Sequence, residues 1–361
     1  MTTAPAAPSP MDPATISATT CTLIHEFLDE CERSATTLPE LTEFTGLLRD
    51  MLDSGGKRIR PTLCVVGWQA VHDTSPPTAV LRVAASLELF HAFALIHDDI
   101  MDSSDTRRGR PTAHRALAAR LADHPDATAV GTNAAIILGD LVLCWSYDLI
   151  HLHATRDLTP EQRSVAWPLL NALRTETLMG QYLDLIATGR PTADADIAWR
   201  IIRHKTARYT IEHPLRIGAA LAGADPEQLR ALSAYALPLG EAFQLRDDML
   251  GVFGDPARTG KSAMDDLRTA KHTVLVATAL QRASPADARV LRSLLGDSAL
   301  DEDGARRIRE ILTATGAVAA VERAVNERYE QALGALTTSC LASGAVAELR
   351  RLAASVAIRS T

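Results

Sequence analysis

The sequence predicts an all-α fold, and three observations support that prediction. Of the 361 residues, 47% are hydrophobic and only 4% are aromatic, while Ala and Leu are abundant. Strands favour aromatic and β-branched side chains, whereas Ala and Leu are strong helix formers. From about Cys21 onward, apolar residues recur at helical spacing, and short polar connectors such as HDTSPP separate the stretches. The pattern contains no convincing hairpin signal and no alternating strand.

The chain organisation predicted from composition is a disordered tail followed by one large helical domain. Residues 1–20 are rich in Pro, Ala and Thr, and they lack the basic and apolar regions of a signal peptide. The later connectors are too short and too evenly spread to mark a domain boundary. We therefore expect the helical bundle to span residues 21–361.

Charge and cysteine usage exclude several functional classes. The formal net charge is −7 and no basic block stands out, so we expect no nucleic-acid partner. The five cysteines are scattered and never form a CxxC pair, which is typical of reduced thiols in a cytoplasmic protein. The apolar run at 129–150 is interrupted by Asn133, Asp140 and two glycines, so we expect no transmembrane segment.

One polar stripe lies on an otherwise apolar helix. The segment VAASLELFHAFALIHDDIMD at 83–102 is apolar almost all round, which is typical of a helix inside a bundle. At about 100° per residue, His91, Asp98 and Asp102 fall on one side of it. Buried carboxylates are costly unless they are paired or bind a metal, so the stripe predicts a cavity that holds cations.

A second segment, GEAFQLRDDMLGVFGD at 240–255, has the same character. Gln244, Asp247, Asp248 and Gly251 recur at i, i+3, i+4 and i+7, which places them on one helix face. Carboxylate oxygens are hard ligands suited to Mg²⁺. If the two faces converge, they form a single site for Mg²⁺ ions.

Basic residues complete this predicted site. Each alone is more often a solvated surface charge than a ligand. Together with Mg²⁺ they would neutralise a diphosphate and stabilise it as a leaving group, while an apolar cavity would shield the carbocation left behind. The candidates are Lys57, Arg60, Arg107, Arg108, Lys205, Lys261 and Lys271.

These motifs together resemble the polyprenyl synthetase family of isoprenyl diphosphate synthases. The resemblance runs from GGKRIRP at 55–61 to KHTVL at 271–275. Between them lie, in order, LIHDDIMDSSDTRRGRPTAH, GQYLDL, KTARYTIEHPL and FQLRDDMLGVFGD. The resemblance implies the class I isoprenoid (terpenoid) synthase fold, a single large helical bundle with a central cavity. It also implies a homodimer.

The resemblance assigns a role to each matching residue. The metal ligands that it implies, for two or three Mg²⁺ ions, are Asp98, Asp102 and Asp247, with Asp99, Asp184 and Asp248 as supporting acids. It implies binding of isopentenyl diphosphate by Lys57, Arg60, His91 and Arg108. It implies binding of the allylic diphosphate by Arg107, Lys205 and Lys261, assisted by Lys271. Gln181 would line the same cavity, and Thr206 and Gln244 would lie near the developing cation.

The reaction implied is the 1′-4 head-to-tail condensation of isopentenyl diphosphate with an allylic diphosphate. Two other classes stay open, a class I terpene cyclase and a non-catalytic synthase subunit. The sequence contains no NDxxSxxxE-type motif of a cyclase, and the GGKRIRP segment needs a second diphosphate to bind. The many acids retained in one cavity disfavour a purely regulatory subunit.

The sequence departs from the family pattern in two places, and one residue predicts the length of the product. Gly251 stands where the second cluster usually has a third aspartate, so Asp255 or Asp265–Asp266 would have to help. LRTAKHT lacks the glutamate-glycine often seen before the lysine. Phe93, five residues before Asp98, matches a position that limits product length and predicts geranylgeranyl diphosphate, although helix projection places Ala94 nearer the stripe. A farnesyl or longer-chain product is the alternative.

Overall fold

A computed structural model describes residues 11–72, 74–255 and 263–357. Within these ranges it confirms the all-α fold, with two-residue strands as the one exception. The α-helices are α1 Pro13–Ser34, α2 Leu41–Asp53, α3 Ile59–His72, α4 Thr78–Met101, α5 Ala113–Arg120, α6 Ala127–Asp148, α7 Pro160–Ala187, α8 Ala195–Ile201, α9 His213–Leu221, α10 Pro226–Phe253, α11 Asp265–Arg268, α12 Val274–Arg282, α13 Pro285–Leu294, α14 Glu302–Ala314, α15 Ala317–Thr337 and α16 Ser343–Ala357.

Two segments wind as π-helices within this bundle. Leu149–Ala154 continues α6, and Ile202–Glu212 connects α8 to α9. A π-helix is rare and is frequently found at functional sites. The second segment carries Lys205 and Thr206, so its unusual winding coincides with the predicted site.

The predicted tail is too long, because α1 already begins at Pro13. The Asp12 carboxylate caps this helix by accepting hydrogen bonds from the backbone N–H groups of Ala14 and Thr15. Ile16 and Thr20 are fully buried. The Pro/Ala/Thr composition was misleading, since proline in the first turn and a preceding aspartate are helix-starting signals.

A short antiparallel hairpin was also missed by the sequence prediction. β1 (Thr106–Arg107) pairs with β2 (Arg110–Pro111), and Arg107 lies opposite Arg110. The turn between them uses positive φ angles at Arg108 (53°) and Gly109 (75°), which is the geometry of a tight hairpin. The hairpin follows α4 directly and turns Arg107 back towards the end of that helix.

α4 lies in the interior of the bundle, as its composition predicted. It is long and apolar enough to cross a membrane, but 78% of its apolar window is buried by protein. The helix Ala127–Ala154 meets the same length and composition test, and only 28% of its window is buried. The exposed apolar residues on α6 and α7 include Ile137, Met179, Tyr182 and Ile186.

Candidate active site

Asp98 lies where three helical elements meet. Its Oδ1 accepts a hydrogen bond from Gln181 Nε2 of α7 (3.1 Å) and one from Lys205 Nζ of the π-helical segment (3.4 Å). Arg107 Nη2 lies 3.7 Å from its Oδ2. The end of α4 therefore brings Asp98 to a position where Gln181 and Lys205, 83 and 107 positions later in the chain, contact it.

Lys205 joins this carboxylate to a second one, Asp184. Lys205 Nζ lies 2.6 Å from Asp184 Oδ2. Burial opposes the charge of Lys205, but Asp98 and Asp184 raise its pKa above the ordinary value, so it is a cation. Asp184 Oδ1 is buried and has no hydrogen-bond partner. A buried carboxylate oxygen without a partner is costly, and a divalent cation would satisfy it.

Asp102 is the C-cap residue of α4 and completes the first acidic cluster. Desolvation and the nearby charge of Asp98 raise the pKa of Asp102 to about 6. Its negative charge is therefore poorly compensated at neutral pH, which suits a cation site. Within the described ranges, no three His, Cys, Asp or Glu side chains already surround one point closely enough to hold an ion. Water and substrate oxygens would have to complete the coordination, which is typical of Mg²⁺.

Asp99, which the sequence predicts as a supporting metal ligand, is paired with Arg107 in the structure. It is only 1% exposed, and both its oxygens accept hydrogen bonds from Arg107, at 2.7 to 3.0 Å. A bidentate pair of this kind is strong and fixes the guanidinium plane. Asp99 therefore positions Arg107 beside Asp98, and a metal bond to Asp99 would have to break this pair.

The second acidic cluster lies on α10, and its two aspartates differ in exposure and in hydrogen bonding. Asp248 is buried and accepts hydrogen bonds from Gln244 Nε2 (2.9 Å) and Lys271 Nζ (3.0 Å). Burial raises the pKa of Asp248. Asp247 is exposed, so it is the member available to a cation. Thr206 Oγ1 donates to Gln244 Oε1 (2.7 Å), so these two predicted polar groups form a pair.

Lys271 shows that the two clusters share one electrostatic site. Burial opposes its charge, yet Asp248, Asp266, Asp184 and Asp247 raise its pKa well above the ordinary value. Carboxylates from both α7 and α10 therefore stabilise the positive charge of Lys271. The two helix faces converge, because Lys205 and Lys271 both act on Asp102 at the end of α4 and Lys271 also donates to Asp248 on α10.

A second group of predicted basic residues lies beside His91. The Arg60 guanidinium stacks 4.0 Å above the Tyr209 ring and donates to Thr210 Oγ1 (2.8 Å). His91 Nδ1 lies 3.1 Å from Tyr209 Oη. Burial, followed by the charges of Arg60, Arg107 and Arg108, lowers the pKa of His91 well below its ordinary value. The imidazole is therefore neutral, and it can accept or donate a hydrogen bond without adding charge.

The loop before α3 closes this second group. Lys57 precedes α3 in the exposed turn, and the Arg108 guanidinium donates to the carbonyl of Gly55. A Cβ at Gly56 would lie 2.8 Å from Arg108 Nη1, so the absence of a side chain at Gly56 makes room for this guanidinium. A small cavity is lined by His91 and Arg108 together with Arg58 and Glu88.

Sequence reasoning missed three residues of the site. Arg58 and Glu88 form a buried ion pair, and Tyr209 connects Arg60 to His91. Arg58 and Tyr209 lie inside the motifs GGKRIRP and KTARYT, and Glu88 is a lone acid on the apolar stretch of α4, so each had a signal. The predicted ligand Lys261 lies outside the described residues.

The two residues predicted to set product length lie on α4. Phe93 is 4% exposed and packs against Phe90 and His97, with ring centroids 5.3 and 4.9 Å away, while Ala94 is half-buried.

These features define a helical protein with an acidic, lysine-bridged cluster of side chains and an arginine-lined cavity, an arrangement suited to two phosphate-bearing ligands. A family model described as Polyprenyl synthetase matches residues 42–312. The crystal structure of geranylgeranyl pyrophosphate synthase from Corynebacterium glutamicum, complexed with isoprenyl diphosphate and magnesium, is similar. Its TM-score is 0.89 and its sequence is 38% identical, with 97% of this chain and 100% of that chain covered.

Two curated relatives agree with that match. Geranylfarnesyl diphosphate synthase of Aeropyrum pernix is 33% identical, with 76% of this chain and 80% of the relative covered. Geranylgeranyl diphosphate synthase of Mycobacterium tuberculosis is 32% identical, with 78% and 75% covered. The chain belongs to the polyprenyl synthetase family. It is a prenyltransferase, a trans-isoprenyl diphosphate synthase, as the sequence motifs predicted.

Proposed function

We propose that this synthase condenses isopentenyl diphosphate with an allylic diphosphate, depends on Mg²⁺, and releases geranylgeranyl diphosphate. The observation that carries the proposal is the position of Lys205 between Asp98 and Asp184, with Lys271 and Asp248 opposite. This arrangement alternates acids with cations, as a site must do to hold metal ions and a diphosphate together. The neighbouring group of Arg60, His91 and Arg108 would hold the second diphosphate.

Carboxylates and cationic side chains would have separate roles in the reaction. Bound Mg²⁺ ions, two or three per site, would be held by Asp98, Asp102, Asp184 and Asp247 and would supply Lewis-acid stabilisation of the leaving diphosphate. Lys205 and Arg107 add charge that is already oriented by Asp184 and Asp99. Such preorganised charges stabilise a departing oxyanion without rearrangement.

The electron and proton changes balance without a protein base. The allylic C1–O bond breaks and its electron pair leaves with the diphosphate. The double bond of isopentenyl diphosphate forms the new C–C bond from its C4 to the allylic carbon, which leaves a positive charge on C3. A proton is then lost from C2 to the released diphosphate, and the electron pair of that C–H bond forms the new double bond between C2 and C3. The paired Thr206 and Gln244 present oxygen atoms beside the developing cation. The neutral His91 stays a diphosphate ligand, because no step requires it to take the proton.

The deciding experiment supplies purified protein with isopentenyl diphosphate, Mg²⁺ and dimethylallyl, geranyl or farnesyl diphosphate in turn. We expect elongation that stops at the C20 alcohol after dephosphorylation, and complete loss of turnover when EDTA removes the metal. Hydrocarbon release from geranylgeranyl diphosphate alone would instead indicate a terpene cyclase. Absence of elongation from every primer would indicate a non-catalytic subunit.

Support for the C20 product comes from the pair formed by Phe93 and His97. His97 Nε2 lies 3.2 Å from the carbonyl oxygen of Ile136, and its ring fills the space above Gly139 of α6. The Phe93 ring contacts His97 edge-on. We infer that the two rings close the passage between α4 and α6 through which a longer prenyl chain would grow.

Replacing Phe93 by alanine should therefore lengthen the product by at least one isoprene unit. The change removes the larger part of the aromatic plug while leaving Asp98 in place. Product alcohols are sized by chromatography, with Ala94→Phe as the matched variant that should shorten the product. If Phe93→Ala lowers the melting temperature but leaves product length unchanged, Phe93 is only a core residue.

We also infer that the protein works as a cytoplasmic homodimer with no transmembrane segment and no nucleic-acid partner. The five cysteines are free, which fits a reducing compartment. The exposed apolar stripes of α6 and α7 are of the kind that is usually buried in an interface; they contain Ile137, Met179, Tyr182 and Ile186. Asp140 lies on α6 three residues after Ile137, and its side chain is 65% exposed. A charge at mid-helix disfavours lipid and favours a protein surface.

Ile137→Lys should convert the dimer to a monomer and lower specific activity. A charge in an apolar interface is costly because it loses its water without gaining a partner. Light scattering coupled to size exclusion measures the mass. Leu38→Lys is the control, since Leu38 and Ile137 are both 59% exposed and Leu38 lies outside the stripes. A wild-type protein that is monomeric, or that requires detergent to stay dispersed, would contradict the homodimer.

A further inference from the structure

The starting point is the glycine at the end of the second acidic face. A Cβ built on Gly251 would lie 2.9 Å from Cγ of Asp266 and still closer to its Oδ2. Asp266 belongs to α11, so its carboxylate reaches the side-chain position of residue 251 from another part of the chain. An alanine or aspartate at 251 would overlap with this carboxylate. Gly251 therefore leaves a space, and Asp266 fills it.

The local backbone holds Asp266 in that space. The Lys271 backbone N–H donates to the Asp266 carbonyl oxygen (2.9 Å), which closes the turn after α11. This turn places the Lys271 side chain between two carboxylates, with Nζ 3.0 Å from Asp248 Oδ1 and 4.0 Å from Asp266 Oδ2. The neighbouring Asp265 is exposed. Of the two adjacent acids, only Asp266 contacts Lys271.

The negative charges around Lys271 and Asp266 favour the binding of a cation. Asp247, Asp248, Asp266 and Asp184 all lie within electrostatic reach of Lys271. Asp184 keeps its buried Oδ1 without a hydrogen-bond partner. Lys271 and Lys205, which pairs with Asp184, leave a negative excess among these four carboxylates in a partly desolvated site, and a divalent cation bound together with a diphosphate would neutralise it.

We propose that Asp266 supplies the third carboxylate of the second acidic cluster, and that residue 251 is glycine because this carboxylate occupies its side-chain space. The proposal rests on the proposed metal-dependent function. The second cluster is then Asp247, Asp248 and Asp266, complete in number but assembled from two segments. Its ligand class is a divalent cation bound together with a diphosphate.

The test exchanges the two residues. Mn²⁺ binding in the presence of inorganic pyrophosphate is measured from the electron paramagnetic resonance signal of free Mn²⁺, beside the rate of prenyl transfer. Asp266→Ala should weaken Mn²⁺ binding at least about tenfold, as loss of an outer carboxylate does at other metal sites. Asp265→Ala is the matched control and should bind as the wild type does. Gly251→Asp alone should also weaken binding, because the two carboxylates collide.

The double variant Gly251→Asp with Asp266→Gly should restore Mn²⁺ binding to within about threefold of the wild type. Wild-type binding by Asp266→Ala, or failure of the double variant to exceed Gly251→Asp alone, would overturn the proposal. If Asp266→Ala does not fold, judged by thermal melting, Asp266→Asn replaces it, since it keeps the shape and removes the charge. Loss of prenyl transfer in the wild type with the expected Mn²⁺ pattern would refute the function and leave the cluster assignment standing.

Discussion

Asp98→Ala is expected to reduce the kcat/KM for prenyl transfer by a factor of about a hundred to a thousand. Lys205, Gln181 and Arg107 all approach Asp98, so its removal takes away a proposed metal ligand and one carboxylate partner of each of these three groups. Loss of one preorganised electrostatic group typically has an effect of this size. The rate of incorporation of labelled isopentenyl diphosphate measures it.

Two controls separate chemistry from folding in this experiment. Asp98→Asn keeps the shape and the hydrogen-bonding oxygen, yet it removes the charge, so it should be nearly as inactive. Glu322→Ala removes an exposed carboxylate from α15 and should leave kcat/KM within about twofold, as surface substitutions usually do. Wild-type activity of a folded Asp98→Ala protein would refute the assignment of the first acidic cluster.

The second large effect is expected at two glycines that contact the π-helical segment Ile202–Glu212. A Cβ on Gly180 would lie 2.5 Å from the backbone nitrogen of Lys205, and a Cβ on Gly240 would lie 2.5 Å from Cα of Ala207. The obstructing atoms are backbone, so they cannot rotate away. Gly180→Ala or Gly240→Ala should displace Lys205 from Asp184 and lower kcat by about tenfold to a hundredfold, because small misplacements of reacting groups are costly.

Helical glycines elsewhere provide matched controls for this prediction. Gly46 of α2 and Gly334 of α15 have open space around the position of an added Cβ. Alanine at these positions should leave kcat unchanged and raise the stability by up to about 1 kcal/mol, since alanine favours a helix. Activity is normalised to the folded fraction from circular dichroism. Equal activity of Gly180→Ala and Gly46→Ala would show that the close approach has no catalytic importance.

Periodicity was sufficient to predict the acidic faces of α4 and α10, because side chains three, four and seven residues apart must share a helix face. It could not predict what Asp99 does, since that depends on a hairpin that returns Arg107 to α4. Likewise, the fit between Gly251 and Asp266 joins two segments, and no local pattern encodes it. The start of α1 was missed because tail-like composition and helix-starting residues coincide in Pro13 and its neighbours.

The π-helical winding of Ile202–Glu212 also constrains how the sequence of this segment can evolve. A π-helix inserts an extra residue into each hydrogen-bonded ring and is less stable than an α-helix, so it persists only where its geometry is useful. Deleting one residue here would let the backbone relax into the more stable α-helix and would rotate Lys205 away from Asp98 and Asp184. Selection for stability and selection for turnover therefore act on this segment in opposite directions.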